Sequence, residues 1–188
     1  MTSGFLHPGD PVLFMKVGMH AQEDLSSIIS RKQKEIADAG YAMWGYGGNT
    51  CYPNAVRTFA EAATASGRVV RLCMERINSN HAREQIRAAQ FSVDDSSWHD
   101  IPSAIDVLGS RFALCIDQLE QLDFEEELPL DATEVAVGRS KGRVGSEYIR
   151  GRVDKACLTV VGDASEPKQI KKISLVANVI EPYAVFLR

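Results

Sequence analysis

The sequence predicts an α+β protein with a curved, mostly antiparallel sheet or a small open β-barrel, and with two main helices in its N-terminal third. Three observations support this class. Two segments with helical periodicity lie in the first third of the chain, and roughly seven or eight apolar runs with strand character are spread over its whole length. The runs in the second half follow one another without helical crossovers, as antiparallel strands do.

Strands and helices alternate in the first third of the chain. The apolar run at residues 12–17 predicts a strand, and residues 20–39 predict an amphipathic helix. The basic residues of this helix lie largely away from its apolar face: Arg31, Lys32 and Lys34. Residues 41–44 predict a short strand, and residues 52–66 predict a second helix.

The rest of the chain reads as strands joined by turns. Residues 90–101 predict a β-hairpin around a polar four-residue turn. Residues 76–89 predict a loop with one or two helical turns, and residues 123–131 predict an acidic loop. The other strands are predicted at residues 69–74, 112–119, 133–137, 156–161, 173–180 and 183–187, the last two flanking a bend at Glu181-Pro182.

The composition is that of a globular protein. The chain has 188 residues, of which 45% are hydrophobic and 24% charged, and we expect one globular domain over residues 1–188. None of the four cysteines has C-x-x-C spacing, and Cys73 and Cys115, which lie inside apolar strand-like runs, are expected to be buried free thiols, as in a reducing cytoplasm. The sequence starts without the features of a secretory signal and has no apolar run near the ~20 residues that span a bilayer. We therefore expect a cytoplasmic protein without a membrane partner.

The most unusual segment of the sequence is basic. Residues 138–155 contain six basic and two acidic residues, in a chain whose net charge is −4. Three of its glycines lie between a predicted strand and a short predicted helix at residues 146–152. A strand, a glycine-rich loop and the start of a helix together direct backbone N–H groups at an anion. The residues that we expect to hold a phosphate are Arg139, Ser140, Lys141, Arg143, Arg150 and Arg152.

This basic segment matches neither of the two standard phosphate-binding motifs, G-x-x-x-x-G-K-[ST] and G-x-G-x-x-G. Two other interpretations therefore stay open. The segment can be a solvated hairpin loop whose charges serve solubility, or it can pair with the acidic residues of 123–131.

A second unusual segment, residues 44–49, combines aromatic side chains with glycines. Aromatic faces stack on bases, and glycines permit a close approach of the backbone to a ligand. We therefore expect Trp44, Tyr46 and Asn49 to contact the ligand. In the alternative interpretation, the two rings fill the core where the chain turns.

Candidate catalytic residues are few. His20 lies three residues before Glu23 at the start of a predicted helix, where the two can act as base and orienting carboxylate. The spacing supplies no third ligand, so we assign no metal site and no cofactor. His81 lies in a polar segment and is the second candidate for acid–base chemistry.

Together these features favour a binding module for a nucleotide, a cyclic nucleotide or a single nucleic-acid base. An isoelectric point near 5.6 argues against strong sequence-independent binding of DNA, which needs a broad basic surface. An antiparallel sheet with flanking helices and an aromatic pocket resembles PUA-like base-reading modules at the level of fold alone.

Two other functions stay open. One is a phosphoesterase or nucleotide hydrolase that uses His20 or His81 as acid or base at the same pocket. The other is a protein–protein adaptor whose contact surfaces are the acidic residues 123–131 and the basic residues 139–155. The sequence also leaves a homo-oligomer open.

Overall fold

The computed structural model describes residues 5–80, 84–162 and 166–188. These residues form an open, mostly antiparallel sheet of nine strands together with three α-helices, which confirms the predicted α+β class. The strands are β1 (Pro11–Met19), β2 (Ala42–Tyr46), β3 (Val70–Asn80), β4 (Gln90–Ser92), β5 (His99–Asp100), β6 (Phe112–Pro129), β7 (Thr133–Val135), β8 (Lys155–Val160) and β9 (Ile170–Leu187). The helices are α1 (Leu25–Ala39), α2 (Pro53–Ala65) and α3 (Gly145–Tyr148).

The order of neighbouring strands across the sheet is β2-β6-β9-β3-β1-β8-β7, and the predicted hairpin, β4–β5, attaches to β9 through β4. All neighbouring strands run antiparallel except β1 and β3, which run parallel. The crossover between these two strands contains α1, β2 and α2. None of the helices in the described ranges combines the length and apolar character needed to cross a membrane.

Helix α1 begins later than the predicted residue 20. Residues 20–23 form a tight turn in which the backbones of His20 and Glu23 exchange two hydrogen bonds of 3.0 and 2.9 Å. The turn holds Ala21 and Gln22 at positive φ angles, which a helix does not permit. Asp24 then caps α1, because its side chain accepts a hydrogen bond from the backbone N–H of Ser27.

The aromatic segment predicted as a loop begins inside the sheet. Strand β2 continues through Gly45 to Tyr46 and pairs with β6 up to Phe112. Gly45 is required at this position because a Cβ atom there would collide with the side chains of Ser110 and Val107. The loop itself therefore covers only residues 47–52, between β2 and α2.

Two other predicted loops belong to strands. The acidic residues 123–129 continue strand β6. The backbone of residues 126–129 pairs with residues 170–173 of β9, while the carboxylates stay at the surface. Residues 76–80 likewise extend β3 beside β1. Residues 84–89 form no helix.

The interior divides into three apolar clusters that follow the alternation of the strands. The largest cluster lies between α1, α2 and the sheet, and it takes Leu13 and Met15 from β1. Val12 and Phe14 alternate with these residues along β1, so their side chains belong to a second cluster on the opposite face. A third cluster packs residues 105 and 107 against β2, β6 and β9.

Candidate functional site

A cavity of about 460 Å³ opens beside the largest apolar cluster. Its walls come from the end of β1 and the following turn, from α1, from the end of β2 and the loop after it, from β3, and from residues 107–110 and 152–155. Because β1 and β3 are parallel, their carboxyl ends meet at the same edge of the sheet, and the cavity lies there. Its volume is typical of a small-molecule site.

One wall of the cavity is apolar. It is formed by buried side chains of β1, α1, β2 and the segment before β6, namely Met15, Val17, Ile28, Trp44 and Val107. An apolar wall of this kind favours a ligand with a ring or another apolar part.

The two aromatic residues of the predicted stacking segment line the cavity but are almost completely buried. Trp44 is 5% exposed and Tyr46 is 3% exposed. The Tyr46 hydroxyl donates a 2.6 Å hydrogen bond to the carbonyl oxygen of Cys51, and burial raises the pKa of Tyr46 far above its ordinary value. In this conformation neither ring exposes a whole face for stacking. This arrangement matches the alternative interpretation, in which both rings fill the core.

A first polar group, which we call the lysine group, consists of Lys16, Arg152, Asp154 and Lys155. Lys155 is 5% exposed, and its ammonium lies 2.7 Å from a carboxylate oxygen of Asp154. The neighbouring loop is attached to β8, because the Thr50 hydroxyl donates a 3.3 Å hydrogen bond to the carbonyl oxygen of Lys155. No ion pair involves Lys16 or Arg152 within the described residues.

A second polar group, which we call the α1 group, consists of Glu23, Arg31, Lys32 and Glu35. Arg31 donates to the Glu23 carboxylate, and the Lys32 ammonium lies 3.0 Å from the Glu35 carboxylate. Burial lowers the pKa of Lys32 and raises the pKa of Glu35. The pair also fixes Asp106, whose backbone N–H donates to Glu35 at 2.9 Å and whose carbonyl accepts from Lys32 at 2.5 Å.

His20 lines the cavity between these groups and the segment before β6. Its Nε2 lies 3.0 Å from the Ser110 hydroxyl and 3.2 Å from the carbonyl oxygen of Leu108. Because a carbonyl oxygen only accepts, we assign the proton to Nε2. This tautomer makes His20 a hydrogen-bond donor at that nitrogen. His81 lies outside the described residues.

The basic segment contributes little to the cavity. Of the six residues predicted to hold phosphate, Arg152 lines the cavity. The others lie outside its lining: Arg139, Ser140, Lys141, Arg143 and Arg150. Asn49, from the aromatic segment, does line it.

The backbone of residues 138–143 forms a closed turn after β7. The N–H groups of Lys141, Gly142 and Arg143 donate to the carbonyls of Gly138, Val135 and Ser140 at 3.2, 2.8 and 3.0 Å. These three donors are therefore used within the protein and are not directed at an anion. The helix that follows, α3, is shorter than predicted and has only four residues.

The acidic and basic segments do not pair as one alternative supposed. No ion pair joins residues 123–131 to residues 138–155 in the described part of the chain, and Glu127 instead contacts Lys172 at 2.6 Å. A single polar link remains, the 2.9 Å hydrogen bond from the Ser146 hydroxyl to Asp131.

Sequence reasoning missed four cationic residues that line the cavity: Lys16, Arg31, Lys32 and Lys155. Signals for two of them were present. Leu25, Ile28, Lys32 and Glu35 follow the spacing of a single helical stripe, so Lys32 and Glu35 share the buried face of α1. Lys16 interrupts an otherwise apolar strand, which also marks it as unusual.

The fold and the site define an open-sheet α+β protein with a predominantly cationic cavity. Five cationic side chains and the carboxylates of Glu23 and Asp154 line it. Among the described residues, no cluster of three or more histidines, cysteines or acidic residues is arranged to hold a metal ion. Comparisons with protein families, curated proteins and solved structures found no match to this chain, so its function has to be inferred from the chemistry of the cavity.

Proposed function

We propose that the protein binds a mononucleotide or a cyclic nucleotide in the cavity. The observation that carries this proposal is the charge of the lining, where five cations face two carboxylates in a chain whose net charge is −4. The Glu35 carboxylate, which contacts Lys32 from outside the lining, offsets one of these charges, and the positive charge that remains attracts an anion. A cationic cavity in an acidic protein therefore fits an anionic ligand.

The apolar wall narrows the class of anion. A nucleotide combines a flat ring system, which suits the surface formed by Val17, Trp44 and Val107, with a phosphate, which suits lysine and arginine. The volume of about 460 Å³ accommodates a ligand of this size, while an inorganic anion would leave the apolar wall unused.

A free nucleotide fits better than a nucleic-acid strand. Strands require a groove with positive charge along many phosphates, and the net charge of −4 opposes such contacts. Recognition of one base at the end of a strand would use the same cavity and is an outcome of the test below.

The proposal is tested by thermal unfolding with a panel of mononucleotides, cyclic nucleotides, nucleosides and short oligonucleotides. A nucleotide at one hundred times its Kd stabilises the native state by about 2.7 kcal/mol, which corresponds to a rise in Tm of about 5–10 °C for a chain of this length. Nucleosides should give a smaller rise because they lack phosphate. If only the oligonucleotides stabilised the protein, the ligand would be the end of a nucleic-acid strand and not a free nucleotide.

A matched pair of variants locates the binding site. Met19 lines the cavity and is 40% exposed, so Met19→Trp should narrow the cavity and weaken binding without disturbing the core. Val69 is 58% exposed and lies outside the lining, and Val69→Trp should bind as the wild type does. The proposal fails if no nucleotide raises Tm at millimolar concentration, or if both variants bind equally.

The position of His20 favours a second function, the hydrolysis of a phosphoester bound in the same cavity. His20 lines the cavity, and its imidazolium form would donate a proton to the leaving oxygen while a water molecule attacks phosphorus and releases a proton to solvent. Chromatography of cyclic nucleotides and nucleoside triphosphates after incubation would detect the product. His20→Gln keeps an N–H donor for Leu108 and should abolish turnover while preserving binding; equal turnover by this variant would leave His20 with a structural role only.

We also expect the protein to work in the cytoplasm. All four cysteines are free thiols, and three of them are buried. Mass measurement of the protein isolated from cells under thiol-trapping conditions would contradict this expectation if it found a disulfide.

A further inference from the structure

The two polar groups of the cavity differ in their charge balance. In the α1 group, two cations face two carboxylates, and each cation contacts a carboxylate. In the lysine group, three cations face Asp154 alone. The excess of positive charge therefore lies in the lysine group, and a phosphate is attracted to that part of the cavity.

The loop beside the lysine group has unused backbone donors. Residues 47–50 line the cavity, and none of the backbone N–H groups of residues 47–51 donates a hydrogen bond to a described residue. Consecutive N–H groups in a loop that contains left-handed residues form concave sites for anions. Gly48 and Cys51 have that conformation, with φ angles of 90° and 58°.

The glycine in this loop leaves room beside the lysine ammonium. A Cβ atom at Gly48 would lie 3.2 Å from the Nζ atom of Lys155, closer than ordinary contacts allow. The absence of a side chain at this position keeps the ammonium accessible from the loop. Asn49, the next residue, is exposed, lines the cavity and makes no side-chain hydrogen bond with a described residue.

The two polar groups are also separated along β1. Lys155 pairs with Met15, whereas His20 and the turn that leads to Glu23 follow Met19. Four residues of a strand span about 13 Å, so the two groups attach to the cavity wall at well-separated backbone positions. A ligand with a phosphate at one end and a ring at the other has a defined direction in such a cavity.

We infer that the phosphate of the ligand binds to the loop of residues 47–51 together with Lys155 and Arg152, and that the basic turn at residues 138–143 takes no part. For a nucleotide, this inference rests on the proposed function. The inference of an anion site, whatever the ligand, depends on the loop and the lysine group alone.

Inorganic pyrophosphate is the probe for this site. Titration of the 15N-labelled protein should shift the backbone amide signals of residues 47–51 and leave those of residues 139–143 unchanged. Isothermal titration calorimetry then compares three charge variants. We expect Asn49→Asp and Arg152→Glu to weaken pyrophosphate binding at least tenfold, and Arg143→Glu to bind within about twofold of the wild type.

The outcomes separate this inference from the proposed function. Nucleotide binding that is unaffected by Asn49→Asp and Arg152→Glu would overturn the inference and leave the proposed function intact. Pyrophosphate binding at residues 47–51 without binding of any nucleotide would support the anion site and overturn the proposed function. Shifts at residues 139–143, or loss of binding in Arg143→Glu, would move the site to the basic turn.

Discussion

The turn at residues 138–143 and the loop at residues 47–51 both contain glycines at positive φ, yet they differ in what they offer to an anion. The turn has three cationic side chains, all exposed, and the N–H groups of residues 141–143 donate to the carbonyls of Val135, Gly138 and Ser140. The loop has no cationic side chain but lines a cavity, keeps its N–H groups unused and lies beside a buried lysine. A local excess of basic residues in a sequence is therefore a poorer guide to an anion site than a concave surface with unused hydrogen-bond donors.

The difference has a physical cause. A cation at an exposed position is already solvated and gains little from an added anion, whereas a buried ammonium such as that of Lys155 interacts with an anion much more strongly. The comparison predicts that substitutions near Lys155 change affinity and that substitutions in the turn do not.

The largest effect is expected from Lys155→Met. Methionine keeps the shape of the buried stem and removes the charge, while the remaining partner, Asp154, is partly exposed and stays solvated. Loss of a hydrogen bond to a charged group costs about 1.5–3 kcal/mol, so affinity for pyrophosphate should fall about 10–100-fold by calorimetry. Lys141→Met is the matched control in the turn. Equal losses in both variants would contradict the comparison.

A smaller effect is expected from Gly48→Ala, with Gly142→Ala as its control. The two glycines have φ angles of 90° and 89°, so alanine should lower the free energy of unfolding by about 1–2 kcal/mol at either position. Only at Gly48 does the new Cβ approach Lys155, since nothing lies within 4 Å of the Cβ position at Gly142. Affinity should therefore fall in Gly48→Ala alone, and a similar loss in Gly142→Ala would show that the contact is irrelevant.

A pH-dependent effect is expected at Asp131, which supports the helix after the turn. The backbone N–H of Gln169 and the Ser146 hydroxyl hold the pKa of Asp131 below its ordinary value of 3.8. The pKa of Asp131 is thus lower in the folded protein than in the unfolded protein. The carboxylate stabilises the fold fully at pH values above its unfolded pKa, and this stabilisation is lost as the pH falls through its folded pKa.

Asp131→Asn should accordingly lower the free energy of unfolding at pH 7 by about 1 kcal/mol. Denaturant titrations at several pH values should show a weaker loss of stability below pH 4 in the variant than in the wild type. Pyrophosphate affinity should stay constant, and a change in affinity would connect the turn and α3 to the site.

The smallest effect is expected when the turn loses its charge. Replacing Arg139, Lys141 and Arg143 together with glutamine should change the free energy of unfolding by no more than about 0.5 kcal/mol, because all three side chains are exposed. Affinity for pyrophosphate at physiological salt should stay within about twofold of the wild type. A tenfold loss would assign the anion site to the turn.

The sequence predicted those elements that local patterns determine. Helix α2, predicted at residues 52–66, spans Pro53–Ala65, and the β4–β5 hairpin lies within its predicted range. The fold class followed from such elements. The acidic half of β6 was missed because its composition is that of a loop, whereas its backbone is satisfied by a partner strand more than forty residues away in the chain.

The cavity could not be predicted, because its walls come from distant parts of the chain. Trp44 and Arg152 were both candidate residues, but only the tertiary fold brings these two distant positions of the sequence to one cavity. Lys32 was predicted to lie largely away from the apolar face of its helix, but it is buried, and its burial depends on contacts with Glu35 and Asp106.

The parallel pairing of β1 with β3 also has a consequence for folding kinetics. Val12 can pair with Arg71 only after the chain has closed a loop that contains α1, β2 and α2, and closing such a loop is slow. We therefore expect the cavity to form after the folding transition state. A bound ligand would then slow unfolding without accelerating folding. Stopped-flow chevrons with and without pyrophosphate would show a shift of the unfolding limb alone.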